Sequence, residues 1–457
     1  MRTLLSTLCT MAFALLPCHT TAQTLSDIRA LSLPVLEVTT VNGEEPTCDF
    51  VYPPEGGTGY SITNATKVPS RLVMTQSGNT LFDTGDYAKG ESGMTIKIAG
   101  NTSAYFGKPS YKLKLQKKAD LLLRGDKRYK DKEWRLLPAA HNLNTLIGFR
   151  VNALMGLQWT PQIKFCNLVI NDTYKGTYMI AECVERNPDC RLDVSDTGYI
   201  IERDLYWWNE DVYFESTMMT RPSFGFTFKY PDTEDLQEAQ IAYIRDYVCQ
   251  AEAAITAGNY DMYIDVASFA AWLLAHDILG TWDSPGSNLY LTKYDSTPQS
   301  RLTAGNLWDF DSIFQNGEEA FAGIHYYHFW FQALFASKNN AFLTAYVQQW
   351  QQVSPTLEAD IMDYLYDFAA SDEGIALQQS REFNHEGSVE ADLQTAKAWL
   401  DAHLPWLGEA ITAQTPSGCH DIALPLGQMT TYDLSGRKVG TQPQHGLYIA
   451  HGKKVIK

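Results

Sequence analysis

The chain has 457 residues and a formal net charge of −17, with 45% hydrophobic and 19% charged residues. Its length predicts two or three domains, and its composition is that of an ordinary globular protein. The negative charge argues against a nucleic acid or an anionic membrane surface as partner, because both select basic patches. It does not exclude a nucleotide substrate, which arrives with its own cation.

The first residues have the pattern of an export signal. The short apolar run Leu4–Leu16 is followed by the small residues Thr20-Thr21-Ala22. The run is short for a membrane span, and Pro17 disfavours lipoprotein processing at Cys18. We therefore expect a cleaved signal peptide over residues 1–22, a secreted protein, and no transmembrane segment.

Six cysteines follow the signal, an even number that permits disulfides in an exported protein without fixing their pairing. A local bridge between Cys183 and Cys190 would close the turn at Asn187-Pro188. None of the cysteines has the spacing of a zinc site. The six are Cys48, Cys166, Cys183, Cys190, Cys249 and Cys419.

Residues 23–98 alternate strand patterns with Gly and Pro turns, which predicts a β-rich N-terminal region. Residues 99–185 are expected to form the next domain, and the segment from about Met94 to Val184 follows the order strand, loop, strand, helix, strand, strand. The helix is expected over Asn144–Leu157, and Asn171-Asp172 marks a hairpin turn. This order is that of a kinase-like small lobe, and other α+β domains share it.

A small polar turn near the start of that segment, Gly100–Ser103, precedes a strand that carries Lys112 and Lys114 on one face. A turn and lysines in this order are one way to hold phosphate groups. An ordinary hairpin turn with solvated lysines has the same pattern. Glu182 falls where a small lobe would join a larger one, as a hinge residue or as a strand-end carboxylate.

Residues 186–414 are expected to form a large lobe that is mainly helical, with strand and turn patterns over Gly198–Tyr230 and helical periodicity after Pro231-Asp232. Residues 415–457 form a linker and a short β tail that is too small to carry its own core. One hairpin interrupts the helices, within His276–Phe314.

The hairpin joins two acidic clusters. Because a hairpin brings the ends of its strands together, Asp283 and Asn288 at its start are expected near Asp309 and Asp311 at its end. Convergent oxygen ligands suit a hard cation such as Mg²⁺, and the spacing Asp283-x4-Asn288 matches a pattern of phosphoryl transfer. An Asp and an Asn that merely bound a turn are the simpler alternative.

Several separated motifs together resemble the CotH (spore coat protein H) kinase family over about Leu33–Gln315. The resemblance implies an α+β, atypical protein-kinase-like fold with two lobes, and transfer of phosphate from ATP, with Mg²⁺ or Mn²⁺, to exported protein substrates. The motifs are Ile98–Ser103, Lys108–Leu115, Val169–Glu182, Phe228–Asp232 and Trp308–Asp311.

The same resemblance assigns roles to particular residues. Asp283 would be the catalytic residue, and Asn288 and Asp309 the metal ligands, with Asp311 nearby. Lys114 would contact phosphate and Glu182 would lie at the nucleotide hinge. The phosphate loop would consist of Gly100, Asn101, Thr102 and Ser103.

The tail resembles the sorting signal of Bacteroidetes type IX secretion in its Tyr432–Arg437 and Gly446–Ile449 motifs. That implies recognition by the secretion machinery and a location at the cell surface, associated with the outer membrane.

Two positions depart from the family pattern. Ala99 stands where the family usually carries Arg before the phosphate loop, and the sequence Ile147–Arg150 displaces a helical Arg-Asn pair. Arg makes bidentate phosphate contacts that Ala cannot replace. These departures favour the alternative function, a non-catalytic pseudokinase that serves as a surface scaffold or adhesin.

Overall fold

A computed structural model describes residues 24–52, 60–105, 107–139, 143–216, 225–281, 287–315 and 329–414, together with four short strands after residue 430. The chain divides into two compact units, Met1–Leu407 and Gly408–Lys457. The expected signal peptide over residues 1–22 and the expected catalytic residue Asp283 lie outside the described residues.

The first unit contains an eight-stranded sheet in the order β1-β9-β10-β8-β7-β6-β4-β5. Strand β1 runs parallel to β9 and antiparallel to β4, which closes the sheet into a barrel with β5 at its edge. The strands are β1 (Val35–Thr40), β4 (Val68–Gln76), β5 (Asn79–Asp83), β6 (Met94–Ala99), β7 (Ser110–Ala119), β8 (Asp131–Pro138), β9 (Ile163–Ile170) and β10 (Thr173–Glu182).

Alternation along these strands separates an apolar interior from a polar exterior. Met94 and Ile96 on β6 and Leu113 and Leu115 on β7 are buried in the barrel core around Trp134. The residues between them point outward, which places the lysines of β6 and β7 on the outer face.

Two predictions in this region are confirmed. The helix begins at Asn144, as expected, and ends at Leu154. Asn171 and Asp172 join β9 to β10 with φ values of +46° and +60°, the left-handed backbone that a tight hairpin turn requires. A short antiparallel pair, β2 (Asp49–Val51) and β3 (Ser61–Thr63), precedes the barrel strand β4.

A second sheet of five strands follows, in the order β12-β13-β11-β14-β15. Its strands are β11 (Tyr199–Asp204), β12 (Tyr213–Phe214), β13 (Gly225–Tyr230), β14 (Leu289–Lys293) and β15 (Leu302–Ala304). The predicted hairpin is confirmed as β14–β15. On its other side, β14 pairs with β11, a strand from much earlier in the chain.

The helices are short in the first part of the chain and longer after residue 237, as the periodicity predicts. The mixed α+β class, with a β-rich N-terminal region and a helical C-terminal part, is thus confirmed. The described helices are α1 (Leu25–Arg29), α2 (Thr102–Tyr105), α3 (Asn144–Leu154), α4 (Glu238–Ala257), α5 (Val266–Leu279), α6 (Phe329–Ala336), α7 (Ala341–Val353), α8 (Leu357–Ala370), α9 (Asp372–Asn384) and α10 (Val389–Gln414).

The expected bridge between Cys183 and Cys190 is not formed, since both are free thiols. The turn between them is held instead by hydrogen bonds from the backbone amides of Cys190 and Arg191 to the carbonyl of Asn187. The Arg191 side chain is buried, forms an ion pair with Glu185 and faces a tryptophan ring. These contacts order the turn without a covalent link.

The second unit contains four antiparallel strands in the order β17-β16-β18-β19: β16 (Thr431–Asp433), β17 (Lys438–Val439), β18 (Leu447–Ala450) and β19 (Lys453–Ile456). Its β character agrees with the expected tail. No helix in the described ranges is long and apolar enough to cross a membrane.

Candidate active site

The structure brings Asn288 and Asp309 together at the mouth of the β14–β15 hairpin. The Asn288 side-chain amide donates a hydrogen bond to Asp309 Oδ2 at 3.3 Å. Both residues have left-handed backbone, with φ values of +58° and +63°, a conformation that Asn and Asp adopt more readily than other non-glycine residues. Two oxygen-bearing side chains thus converge where the hairpin geometry predicted, and the exposed Asp311 follows two residues later.

Helix α3 from the barrel region holds the segment that carries Asp309. The Asn144 side chain donates to the Phe310 carbonyl at 3.0 Å, and Asn152 Oδ1 accepts from the Leu307 amide at 2.7 Å. Phe149 packs edge-to-face on Phe310 at 5.2 Å. One helix face therefore fixes the backbone on both sides of Asp309.

Gly148 allows this close approach. A Cβ atom at position 148 would lie 2.1 Å from the Phe310 ring, well inside van der Waals contact. The glycine that departs from the family motif is thus a packing requirement of the Asp309 segment. Arg150 points elsewhere: it donates to the Asp360 carbonyl at 3.1 Å and lies over the ring of Tyr364, so the displaced charge serves the contact between α3 and α8.

Asp283 lies outside the described residues, and helix α5 ends four residues before it, at Leu279. Helix α5 ends with Gly280 as its left-handed cap, and His276 Nδ1 is 2.9 Å from the hydroxyl of Thr281. Complete burial lowers the pKa of His276 to about 3, so the imidazole is neutral in the folded protein. The neighbouring Asp277 is also buried, accepts from the Tyr346 hydroxyl at 2.6 Å, and has a pKa raised by burial.

His276 makes the stability dependent on pH. Unfolded histidine binds a proton below about pH 6.5, whereas folded His276 does not until about pH 3, so its contribution to stability is lost as the pH falls through that window. The free energy of unfolding should fall between pH 7 and pH 4 as this contribution is lost. We expect His276→Asn, which can keep a hydrogen bond to Thr281, to make that fall smaller by about 2–4 kcal/mol. Urea unfolding at several pH values measures this, and parallel curves for both proteins would contradict it.

The Gly100–Ser103 loop follows β6 and leads into α2. Gly100 has a φ of +83°, and a Cβ there would meet Ser103 Oγ at 2.6 Å. Asn101 is turned away from a ligand-facing role, because its Oδ1 accepts from Ser61 Oγ at 3.1 Å and from the Ile62 amide at 3.3 Å. The side chain of Thr102 is outside the described part of the chain.

Asn101 belongs to a link between the barrel region and the second sheet. Asn209, in the turn after β11, donates from its amide to Ser61 Oγ at 2.9 Å and to the Ile62 carbonyl at 2.7 Å. The loop predicted to bind phosphate and the turn after β11 therefore both form hydrogen bonds with strand β3, through Asn101 and Asn209.

Lys114 lies on the outer face of β7, with its side chain 60% exposed, and pairs with Glu133 on β8 at 3.0 Å. Its hydrogen bond to Glu133 raises its pKa, so it is a cation at neutral pH. Lys112 pairs with the other oxygen of the same carboxylate. Lys114 is therefore available at the surface, but it shares one counterion with its neighbour.

Glu182 lies at the end of β10 and is 1% exposed. Its carboxylate pairs with Arg124 at 2.8 Å and accepts from the Gln162 amide at 3.0 Å. Burial raises the pKa of Glu182, and the positive charge of Arg124 opposes this. The carboxylate is thus engaged within the protein, and the backbone amide of Glu182 donates to the Gln162 carbonyl at 3.2 Å.

Sequence reasoning missed an ionisable cluster on the second sheet. Glu202 on β11 pairs with Lys229 on β13 at 2.7 Å. Asp204, two residues on, accepts from the Tyr206 amide at 2.7 Å and from the Thr227 hydroxyl at 3.2 Å. Burial and then the charge of Glu202 raise the pKa of Asp204 to about 7. The alternation Glu202-x-Asp204 at the end of an apolar strand was the available signal.

This cluster lies next to the hairpin mouth. Glu202 is the cross-strand partner of Tyr290, and Arg203 is that of Leu289. Asn288 therefore extends the strand that runs directly beside the two carboxylates.

Asn288 and Asp309 carry the type of ligand atom that suits a hard divalent cation, because Mg²⁺ prefers amide and carboxylate oxygens. They are too few to hold it alone, and Mg²⁺ commonly completes its shell with water and substrate phosphates. The described residues, which do not include Asp283, contain no group of three or more His, Cys, Asp or Glu side chains placed to hold a metal. A metal ion bound at this hairpin mouth would need further ligands from the substrate phosphates.

The hairpin mouth offers oxygen ligands, and the glycine turn and the lysines of β7 are groups that a phosphate-transferring site could use. A family model described as CotH kinase protein matches residues 96–367. The match covers more than half of the chain, and the chain belongs to the CotH kinase family. It extends from β6 into α8, beyond the Gln315 limit expected from the motifs.

Among solved structures, the chain is similar to one from Shewanella oneidensis MR-1, described as a toxin–antitoxin system of HipA, HipB and its operator DNA. The identity is 12%, the aligned part covers 62% of this chain and 61% of that chain, and the TM-score is 0.30. A similarity at this level carries no argument about the site. No curated protein matches the chain.

Proposed function

We propose that the protein transfers the terminal phosphate of ATP to hydroxyl groups of exported proteins. The observation that carries the proposal is the contact between Asn288 and Asp309 at the hairpin mouth, in a member of the CotH kinase family. Asp283 precedes Asn288 by five residues, the separation seen between a catalytic Asp and a metal-binding Asn in phosphoryl transfer.

Each group of the chain has a distinct task in this scheme. Asp283 orients the substrate hydroxyl and accepts its proton, while Asn288 and Asp309 hold a divalent cation. Bound Mg²⁺ or Mn²⁺ would neutralise the charge on the transferring phosphate. Lys114 and the backbone of the Gly100–Ser103 loop hold the donor phosphates, and the segment near Glu182 borders the base.

Asp283→Asn separates catalysis from binding. We expect the variant to lose at least about 100-fold in phosphate transfer from ATP, because the residue acts on the substrate hydroxyl. It should keep its affinity for Mg²⁺ and ATP within about threefold. Transfer of labelled phosphate to a mixture of exported proteins measures the first quantity, and calorimetric titration measures the second. Unchanged transfer would refute the assignment.

The same titration addresses the alternative function. A protein that binds no ATP in the presence of Mg²⁺ or Mn²⁺ would be a scaffold or adhesin that keeps the fold without turnover. Ala99 is the position that favours this alternative, because the family's Arg is missing there.

We also propose that the protein is exported and held at the cell surface. The export pattern in residues 1–22 and the motifs of the tail support this. N-terminal sequencing of the mature protein and surface proteolysis of intact cells test it. An unprocessed protein that is protected from protease would contradict it.

A further inference from the structure

Helix α5 ends at Leu279, four residues before the proposed catalytic residue Asp283. The last carbonyls of a helix have no amide of a following turn to accept from, so a buried helix end needs partners from elsewhere in the fold. The His276 carbonyl is still satisfied within the cap, because the Gly280 and Thr281 amides donate to it. The buried carbonyls that need a partner outside the helix are those of Asp277, Ile278 and Leu279.

Helix α10 supplies two of these partners from side chains that lie one turn apart. His403 Nε2 is 2.6 Å from the Asp277 carbonyl oxygen, and the Trp399 indole N–H donates to the Ile278 carbonyl at 3.0 Å. Because a carbonyl only accepts, Nε2 of His403 must carry the ring proton. The Trp399 and His403 rings stack on each other at 4.3 Å. One turn of α10 therefore caps the end of α5 with two donors that pack together.

The third partner comes from the segment that carries the proposed metal ligand. The Phe314 amide, five residues after Asp309, donates to the Leu279 carbonyl at 2.8 Å. The Phe314 ring stacks on the Trp399 ring at 5.3 Å. Trp399 thus contacts both halves of the proposed site, namely the helix that leads to Asp283 and the turn that follows Asp309.

Helix α10 lies outside the part of the chain that the family comparison covers. The family model ends at residue 367, and α10 begins at Val389. No role for Trp399 or His403 therefore follows from the family. Packing alone does not select an indole and an imidazole at these positions, because apolar rings would fill the same space without polar atoms to satisfy. The donors are explained by the carbonyls of α5 that they meet.

We propose that Trp399 and His403 are positioning residues that fix the point at which the chain leaves α5 toward Asp283. This rests on the proposed function and adds to it a requirement for α10. A helix end whose carbonyls are all paired opens rarely, so the chain beyond it starts from one fixed place. Phosphate transfer depends on this because its catalysis consists almost entirely of positioning and electrostatic stabilisation.

The test removes the two donors and keeps the rings. Trp399→Phe and His403→Phe each lose one N–H group and keep an aromatic ring in the stack, whereas His403→Gln keeps a side-chain N–H that can reach the same carbonyl. Trp406→Phe is the matched control, because the Trp406 ring also lies beside His403, at 5.3 Å, and its indole has no acceptor among the described residues.

Three quantities are measured on each full-length protein. They are the rate of phosphate transfer at saturating ATP and Mg²⁺, the affinity for ATP with Mg²⁺ by calorimetry, and the hydrogen exchange of the peptides that contain the amides of Gly280, Thr281 and Phe314.

We expect these amides to exchange about three- to tenfold faster in both phenylalanine variants, because each variant loses one hydrogen bond at the helix end. The transfer rate at saturation should fall about tenfold, whereas the affinity for ATP with Mg²⁺ should stay within about threefold. His403→Gln should recover most of the rate, and Trp406→Phe should behave like the original protein. A merely structural role would not separate rate from affinity in this way.

An active original protein whose phenylalanine variants keep its transfer rate would overturn the positioning role alone and leave the proposed function standing. Unchanged hydrogen exchange in both variants would also overturn it, as would a loss of ATP affinity as large as the loss of rate. If one phenylalanine variant fails to fold, the other decides. An original protein that transfers no phosphate would refute the proposed function, and the positioning role with it.

Discussion

Replacing Asp309 with asparagine is expected to abolish metal-dependent phosphate transfer and to weaken the binding of ATP with Mg²⁺. Asparagine tolerates the left-handed backbone of this position, with its φ of +63°, and can keep a hydrogen bond to Asn288, so the fold should survive. The lost negative charge is what a divalent cation requires. We expect a loss of roughly 10²–10³-fold in transfer rate.

The matched control is Asp295→Asn at the opposite end of the same hairpin. Asp295 accepts from the amide and hydroxyl of Thr297, and asparagine can accept the same bonds. This variant should keep both metal affinity and transfer. Assays over a range of Mg²⁺ concentrations measure the difference, and an Asp309→Asn protein with the original metal dependence would rule out Asp309 as a ligand.

The two variants of the site differ in what they lose. Asp283→Asn should lose transfer and keep the binding of ATP with Mg²⁺, whereas Asp309→Asn should lose both. If both variants behave alike, the division between a catalytic residue and a metal ligand is wrong.

The hairpin mouth was predictable because it depends on local geometry. The strands β14 and β15 are close in sequence, so their ends must meet, and Asn288 reaches Asp309 as expected. The turn at Asn171-Asp172 was predictable for the same reason, since both residue types favour left-handed backbone.

Features that depend on register between distant strands were not predictable. Lys112 and Lys114 were seen to share a face, but the positions of Lys97 and Arg135 beside Lys112 follow from how three strands align. The loops that join these strands differ in length, so the sequence does not fix how the strands align. A register shift of one residue would move every side chain of a strand to the opposite face of the sheet. Glu182 shows the same limit, since its partner Arg124 lies 58 residues earlier.

Gly148 shows how a motif comparison can mislead without a structure. As a departure from the family pattern it suggested a weakened site. In the fold it is the position at which helix α3 meets the Phe310 ring, between the two carboxylates of the hairpin end. The same residue therefore supports the Asp309 segment that it was expected to weaken.

Gly148→Ala is consequently expected to destabilise the protein, although alanine is the better helix former by about 1 kcal/mol. The new Cβ would lie 2.1 Å from the Phe310 ring, and such overpacking costs about 1–3 kcal/mol on its own. A shift of Phe310 disturbs the segment next to Asp309, so we also expect about a tenfold loss of affinity for ATP with Mg²⁺.

A double-mutant cycle with Phe310→Ala identifies the cause, because it removes every atom from Cγ outward that the new methyl group would meet. In that background Gly148→Ala should be neutral or stabilising, with a coupling energy of about 1–3 kcal/mol. Ala153→Gly, at an exposed position of the same helix, calibrates the helix propensity term separately. Equal effects of Gly148→Ala with and without the Phe310 ring would mean that the glycine is not required by this contact. The effect of Gly148 on the site would then have to come from the displaced Arg of the family's helical Arg-Asn pair.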